Sequence, residues 1–267
     1  GYAALYANTT GANNTAIGNA SLVTNTTGAE NVASGTSALY YNTTGTGNVG
    51  LGYQAMYYNT TASNNVAVGK NALLVNTTGT QNVAVGALAL DANTTGRDNV
   101  ALGYGSLTAN TTASNNVAIG RTAMEANTTG AGNVAIGKDA LIANTTGDAN
   151  TAVGLDAGTA LTTGGYNVAV GRQALMTTTT VNDNVAVGNN ALRLNATGAS
   201  NTALGSSALD ANLASHNTAV GKSSMVANTT GAENTAVGTS SLDANTTGGY
   251  NVALGVGALG ANTTADS

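Results

Sequence analysis

A chain of 267 residues with only 7% charged side chains, and with no Trp, Phe, Pro or Cys, cannot build a wide aromatic core or rest on disulfides. Its net charge of −5 and scattered Lys and Arg exclude the basic stripe that phosphate binding needs, so nucleic acid is not an expected partner. No apolar run approaches the ~20 residues that cross a bilayer, and no direct membrane insertion is expected of this segment.

One stretch organises the rest. Asn65-Val66-Ala67-Val68-Gly69 returns as Asn82-Val83-Ala84-Val85-Gly86 and again as Asn99-Val100-Ala101-Leu102-Gly103. The anchoring Asn recurs at 14, 31, 48, 65, 82, 99, 116, 133, 150, 167, 184 and 201, then, after one missing residue, at 217, 234 and 251. A fixed period of seventeen residues is the signature of a solenoid. Low charge would also suit disorder, but a disordered chain has no need to hold Val-Ala-Val in register through fifteen copies. The chain begins and ends in mid-repeat, which reads as a segment of a longer fibre. Residues 1–267 are expected to form a single repeat domain.

Counting from zero at the anchor, position 1 is Val or Thr, position 2 almost always Ala, position 3 Val, Ile or Leu, and position 4 Gly. The β-branched residues predict a short strand, too short to stand alone, paired with its copies above and below. The Gly marks a turn or a close backbone approach. Ala or Ser at 7 and Leu or Met at 8 predict a second short extended arm. Asn-Thr-Thr-Gly at 11–14 turns the chain back. A helix is excluded by Gly at position 4, by β-branched residues at 12 and 13, and by the usual Gly at 14. The fold class is therefore all-β: a parallel β-solenoid, or β-roll, of about sixteen stacked seventeen-residue coils. At the ~4.8 Å strand spacing that is a rod of roughly 75 Å. Asn at positions 0 and 11 should form side-chain amide ladders, the second through Asn25, Asn42, Asn59, Asn76, Asn93, Asn110, Asn127 and Asn144.

If Val and Leu at 1, 3 and 8 fill the interior, position 2 points outward. Its uncharged Ala stripe, Ala16, Ala33, Ala67, Ala84, Ala101, Ala118, Ala135, Ala152, Ala169 and Ala186, is then a contact face for a second chain. The alternative places position 2 in a tight interior and leaves positions 1 and 3 outside. That would expose Val and Leu ladders, an aggregation hazard. The pattern weakens over residues 161–216, where Leu161, Thr178 and the one-residue-short Asn212-Leu213-Ala214-Ser215-His216 predict a local irregularity with a displaced loop at 212–216.

Residues that could carry chemistry are few. A single histidine, His216, and no cysteine leave no His/Cys zinc site and confine a His-dependent triad to one residue. Asp91, Glu125, Asp210 and Asp243 at position 9 read as a solvated face. No catalytic, metal-binding or cofactor-binding residue is assigned, and no enzyme activity or cofactor is expected. The Asn-x-Thr triplets read as turns and ladders, since glycans every ~4.8 Å would crowd one another. The Thr pairs offer an ice-binding reading, with only one Thr of each pair free to face outward. Tyr2, Tyr6, Tyr40, Tyr41, Tyr53, Tyr57 and Tyr58 crowd the first coils and offer a sugar-stacking reading.

The core Asn-Val-Ala-Ile-Gly-x-x-Ala, at Asn116–Ala123 and Asn133–Ala140, resembles the head repeats of YadA-like trimeric autotransporter adhesins. The Asn-Thr-Thr-Gly repeats are similar to those of phage tail fibres and of bacterial surface proteins with a C-terminal self-cleaving chaperone. The period is longer here than in the adhesin heads, the extra residues falling around Asn-Thr-Thr. The resemblance implies a left-handed parallel β-roll, three chains side by side as a homotrimer, and an extracellular fibre on a bacterial cell surface or virion. Its implied partners are copies of itself and a host surface, matrix or glycan. The resulting expectation is a structural, adhesive, multivalent fibre segment, with an ice-binding or glycan-binding β-solenoid as the alternative.

Overall fold

The computed structural model describes residues 1–266. The chain is an all-β parallel solenoid of seventeen-residue repeats and forms two compact units, residues 1–132 and the described residues from 133 on. Unit 1 holds seven three-residue strands, from β1 (Thr15–Ile17) to β7 (Val117–Ile119), one per coil. Unit 2 holds eight, from β8 (Val134–Ile136) to β15 (Val252–Leu254). Within each unit neighbouring strands are parallel and in register: Val66 faces Val83, Ala67 faces Ala84 and Val68 faces Val85.

The strand is bounded by its own sequence. Gly69 turns the chain at φ 138°, a region other residues rarely enter, and a Cβ there would lie 2.6 Å from the Gly86 carbonyl oxygen of the next coil. Beyond it the structure departs from the expected second arm. Positions 5–10 form successive turns, closed by bonds such as Ala72 N–H to Gly69 O (3.3 Å) and Asn59 N–H to Met56 O (3.1 Å) in the same unit. Positions 6 and 8 are left-handed in coil after coil, as at Asn71 (φ 58°) and Leu73 (φ 50°). That alternation sends the Asn71 N–H to Tyr53 of the preceding coil and the Leu73 N–H to Ala89 of the following one. The segment is thus tied in both directions without becoming a strand. A non-glycine left-handed residue costs roughly 1–2 kcal/mol, and complete burial of Leu73 holds it there.

Burial inverts the expected facing of the strand. The position-2 residues Ala33, Ala67, Ala84, Ala101, Ala118, Ala135, Ala152 and Ala186 are fully buried and Ala169 nearly so; Ala16, in the first strand, is half-buried. They cannot be a stripe against a second chain, because they face the inside of their own coil. The physical reason is volume. A Cβ built on Gly50, the glycine at this position, lies 3.3 Å from Leu39 Cγ, so position 2 abuts the position-8 leucine. A tube this narrow has room for one large side chain per coil, and the strand must turn its smallest residue inward. Val, Ile, Leu and Thr at 1 and 3 then stand outside, half-buried along most strands.

Two asparagines per coil close the loop. The Asn31 Nδ2 and Asn42 Nδ2 groups both donate to the Gly45 carbonyl, at 2.8 and 3.1 Å. Within each unit the anchor Oδ1 accepts the next anchor's backbone N–H, as Asn82 Oδ1 does from Asn99 at 3.1 Å and Asn217 Oδ1 from Asn234 at 3.0 Å. The position-11 side chains form the expected ladder in unit 1, Nδ2 to Oδ1, from Asn25 on Asn8 (2.7 Å) to Asn127 on Asn110 (3.0 Å). Asn144, the first position-11 residue of unit 2, donates to Gly147 O at 3.1 Å.

The weak region of the sequence affects this second ladder and leaves the strand pairing alone. Leu161 and Thr178 replace the amide, and Asn195 Oδ1 turns back to its own coil's Gly198 N–H. The anchor ladder runs on through Asn167, Asn184, Asn201 and Asn217. The missing residue is absorbed in the loop: Ala214 supplies the carbonyl that Asn201 and Asn212 share, and Thr202 still pairs with Thr218.

Candidate functional site

The outward strand face is the most regular exposed surface of each unit. Its two rows carry Val or Thr at position 1 and mainly Val, Ile or Leu at position 3, with Ser34 the one polar exception in the second row. Among the described residues no strand carries a charged side chain. Val85, Ile136 and Leu204 are each exposed by more than a third. The backbone of these strands is spent on neighbouring coils, so the face offers apolar, β-branched surface with no free hydrogen-bonding edge. Uncharged and mainly aliphatic, it can bury area against another surface. Unpartnered apolar rows of this kind mark interaction sites.

The other predicted features fall elsewhere. The position-11 asparagines are buried, and Asn42 Nδ2 already donates to both Asn25 Oδ1 and Gly45 O, so the amide nitrogen is engaged inside the coil. The position-12 threonines turn their hydroxyls to the next coil's backbone, Thr26 Oγ1 to Thr43 O at 3.0 Å and Thr77 Oγ1 to Thr94 O at 3.0 Å. The position-13 threonines, among them Thr27, Thr44, Thr61, Thr78 and Thr95, form a single exposed row. Ice recognition by Thr would rest on that row alone.

Tyr40, Tyr41, Tyr57 and Tyr58 form one cluster across two coils. Tyr40 stacks on Tyr57 with centroids 5.1 Å apart, and Tyr41 on Tyr58 at 5.4 Å with planes 6° apart. Their facing π-surfaces are spent on each other. Burial, then the neighbouring Tyr41, pushes the Tyr57 hydroxyl above its ordinary value. Tyr2 and Tyr6 stand apart and line a shallow cavity of about 330 Å³ with Ala3 and Val23. His216 is exposed in the short loop with a left-handed backbone, φ 62°. At position 9, Asp210 pairs with Arg193 (2.9 Å), and burial raises the carboxyl of Asp91 against the lowering effect of its backbone hydrogen bonds.

No protein-family model and no curated protein matches the chain. Sequence reasoning carried the outward placement of positions 1 and 3 only as the alternative, below the inward one. The usable signal was the size of position 2: invariant smallness on one side of a strand marks the crowded side.

Proposed function

We propose that the chain is a segment of a non-enzymatic, extracellular fibre whose copies associate side by side through the outward strand face. The observation that carries this is the pair of uncharged, mainly aliphatic rows along the strands, half-buried on most of them in the single chain. A soluble chain rarely leaves such a patch uncovered, and a second copy supplies a surface of the same chemistry and spacing. Three copies is the number the adhesin resemblance implies. It also supports a place on a bacterial surface or virion, with repeated weak contacts to a host surface, matrix or glycan adding up along the fibre.

The test is molar mass by light scattering at several concentrations, for the wild type and for Val68→Lys/Val85→Lys. The wild type is expected as a stable trimer and the variant as a folded monomer, since lysines on an outward row cost the interface and spare the coil. A wild type that stays monomeric at every concentration overturns the proposal. The exposed Thr row supports a second reading, ice binding. Thermal hysteresis that is lost in Thr61→Lys/Thr78→Lys would favour it.

A further inference from the structure

Position 5, the exposed residue after the Gly turn, has a longer period hidden in it. Lys70, Arg121, Arg172 and Lys222 occupy this position 51, 51 and 50 residues apart, the last interval shortened by the missing residue. The charge returns every third coil. One coil earlier, the same position is Tyr53 and Tyr104, and then Leu155 and Ser206; the block before them has Tyr2 followed by Asn19 in the cation's place. Duplication of three-coil blocks explains the period and does not explain what was kept. In the coils that carry the cations, position 6 drifts through Asn71, Thr122, Gln173 and Ser223, and position 9 through Leu74, Glu125, Met176 and Val226. Only the positive charge holds.

The structure separates these four from the other cations. All four are exposed, and among the described residues none has an ion pair. Lys138 also lies at position 5 but off the three-coil period, and it is held by Asp139 at 2.8 Å; Arg193, held by Asp210, and Arg97 stand on other rows. Tyr53 and Tyr104 are 49% and 54% exposed, and neither ring packs on another ring among the described residues, unlike the cluster at 40–58. Unit 1 therefore presents tyrosine then cation, twice, in one row. At the strand spacing the two cations are about 14 Å apart. Unit 2 repeats the cation spacing with Arg172 and Lys222.

We propose that the position-5 row binds a linear, sparsely charged acidic polysaccharide, its anionic groups on the spaced cations and its sugar rings on Tyr53 and Tyr104. Charge density selects this partner. A nucleic-acid strand carries a charge every ~3.4 Å, several for each cation here, and the chain's net charge of −5 opposes a dense polyanion. Carbohydrate chains offer flat apolar ring faces between widely spaced charges, which suits free aromatic faces beside single cations. Each site is weak, and repetition along the solenoid supplies avidity. This row is separate from the strand face, and the inference does not rest on assembly.

The test is calorimetric titration of the wild type with hyaluronan oligosaccharides at low salt, with neutral dextran and oligo(dT) run in parallel. Saturable hyaluronan binding is expected, with none to dextran and weaker binding to oligo(dT). Changing all four cations together (Lys70→Gln, Arg121→Gln, Arg172→Gln, Lys222→Gln) should weaken it by about tenfold or more, as expected when several exposed ion pairs are lost at once. Tyr53→Ala/Tyr104→Ala should weaken it at unchanged molar mass and circular dichroism. No hyaluronan binding, binding that the four-site variant retains, or oligo(dT) binding of equal strength each overturns the proposal.

Discussion

Replacing Asn82 by Ala should cost more than replacing Asn76, although both side chains are fully buried asparagines on amide ladders. Asn82 Oδ1 accepts the backbone N–H and the Nδ2 of Asn99, both at 3.1 Å, while its Nδ2 donates to Gly96 O at 2.9 Å and Asn65 Oδ1 at 3.2 Å. Its loss leaves the Asn99 backbone N–H buried without an acceptor, which costs about 1–3 kcal/mol, and removes further bonds worth about 1 kcal/mol each. Gly96 O keeps Asn93 Nδ2 at 3.0 Å, which limits the damage. The sum is about 3–5 kcal/mol. Asn76 bonds only to Asn59 Oδ1, Gly79 O and Asn93 Nδ2, and its removal orphans no backbone N–H. Gly79 O retains Asn65 Nδ2 at 2.9 Å and Asn93 retains Gly96 O. About 2–3 kcal/mol follows. Because a solenoid opens locally, the assay is amide hydrogen exchange across residues 65–110 alongside urea melts of both variants. Equal losses, or a greater loss for Asn76→Ala, would refute the assignment of the anchor side chain to backbone satisfaction.

Gly158→Leu should destabilise by about 1–3 kcal/mol through overpacking, because a Cβ there already lies 2.9 Å from Leu141 Cδ2 and 3.1 Å from Leu161 Cδ1. Adding Leu161→Asn restores the usual pair of positions 8 and 11 and should recover most of that loss in the same melts. Asp91, whose carboxyl is raised by burial above 3.8, is protonated more readily folded than unfolded. Its contribution to stability therefore declines as pH rises from below 3.8 through the raised value, and Asp91→Asn should flatten that part of the stability–pH curve. Ala149, exposed with φ 55°, should gain about 0.5–1 kcal/mol as Gly, since the relief of left-handed strain exceeds glycine's added chain entropy.

The ladders were legible because a buried amide needs a partner and an exact repeat supplies one in the next coil, as Asn42 does for Asn59. The strand at Val66–Val68 was legible from its β-branched residues. Its facing was not. Ranking Val above Ala by hydrophobicity put Val66 and Val68 inside, whereas Leu73 had already taken the room and only Ala67 fits beside it. The left-handed Leu73 and Leu90 were hidden for another reason: leucine carries no local signal for that region, and only the inter-coil bonds require it. The position-5 cations looked scattered at a period of seventeen because their own period is three times longer.

The strand turns Ala inward and its neighbours at positions 1 and 3 outward. The chain has no cysteine, so single-cysteine variants report facing directly. Maleimide labelling of Ala67→Cys and Val68→Cys, native and in urea, is the measurement. Cys at 67 is expected to label only in urea. Cys at 68 is expected to label in the native chain at low concentration and to become protected as concentration rises. Native labelling at 67 with protection at 68 under all dilutions would contradict this facing and turn the coil inside out.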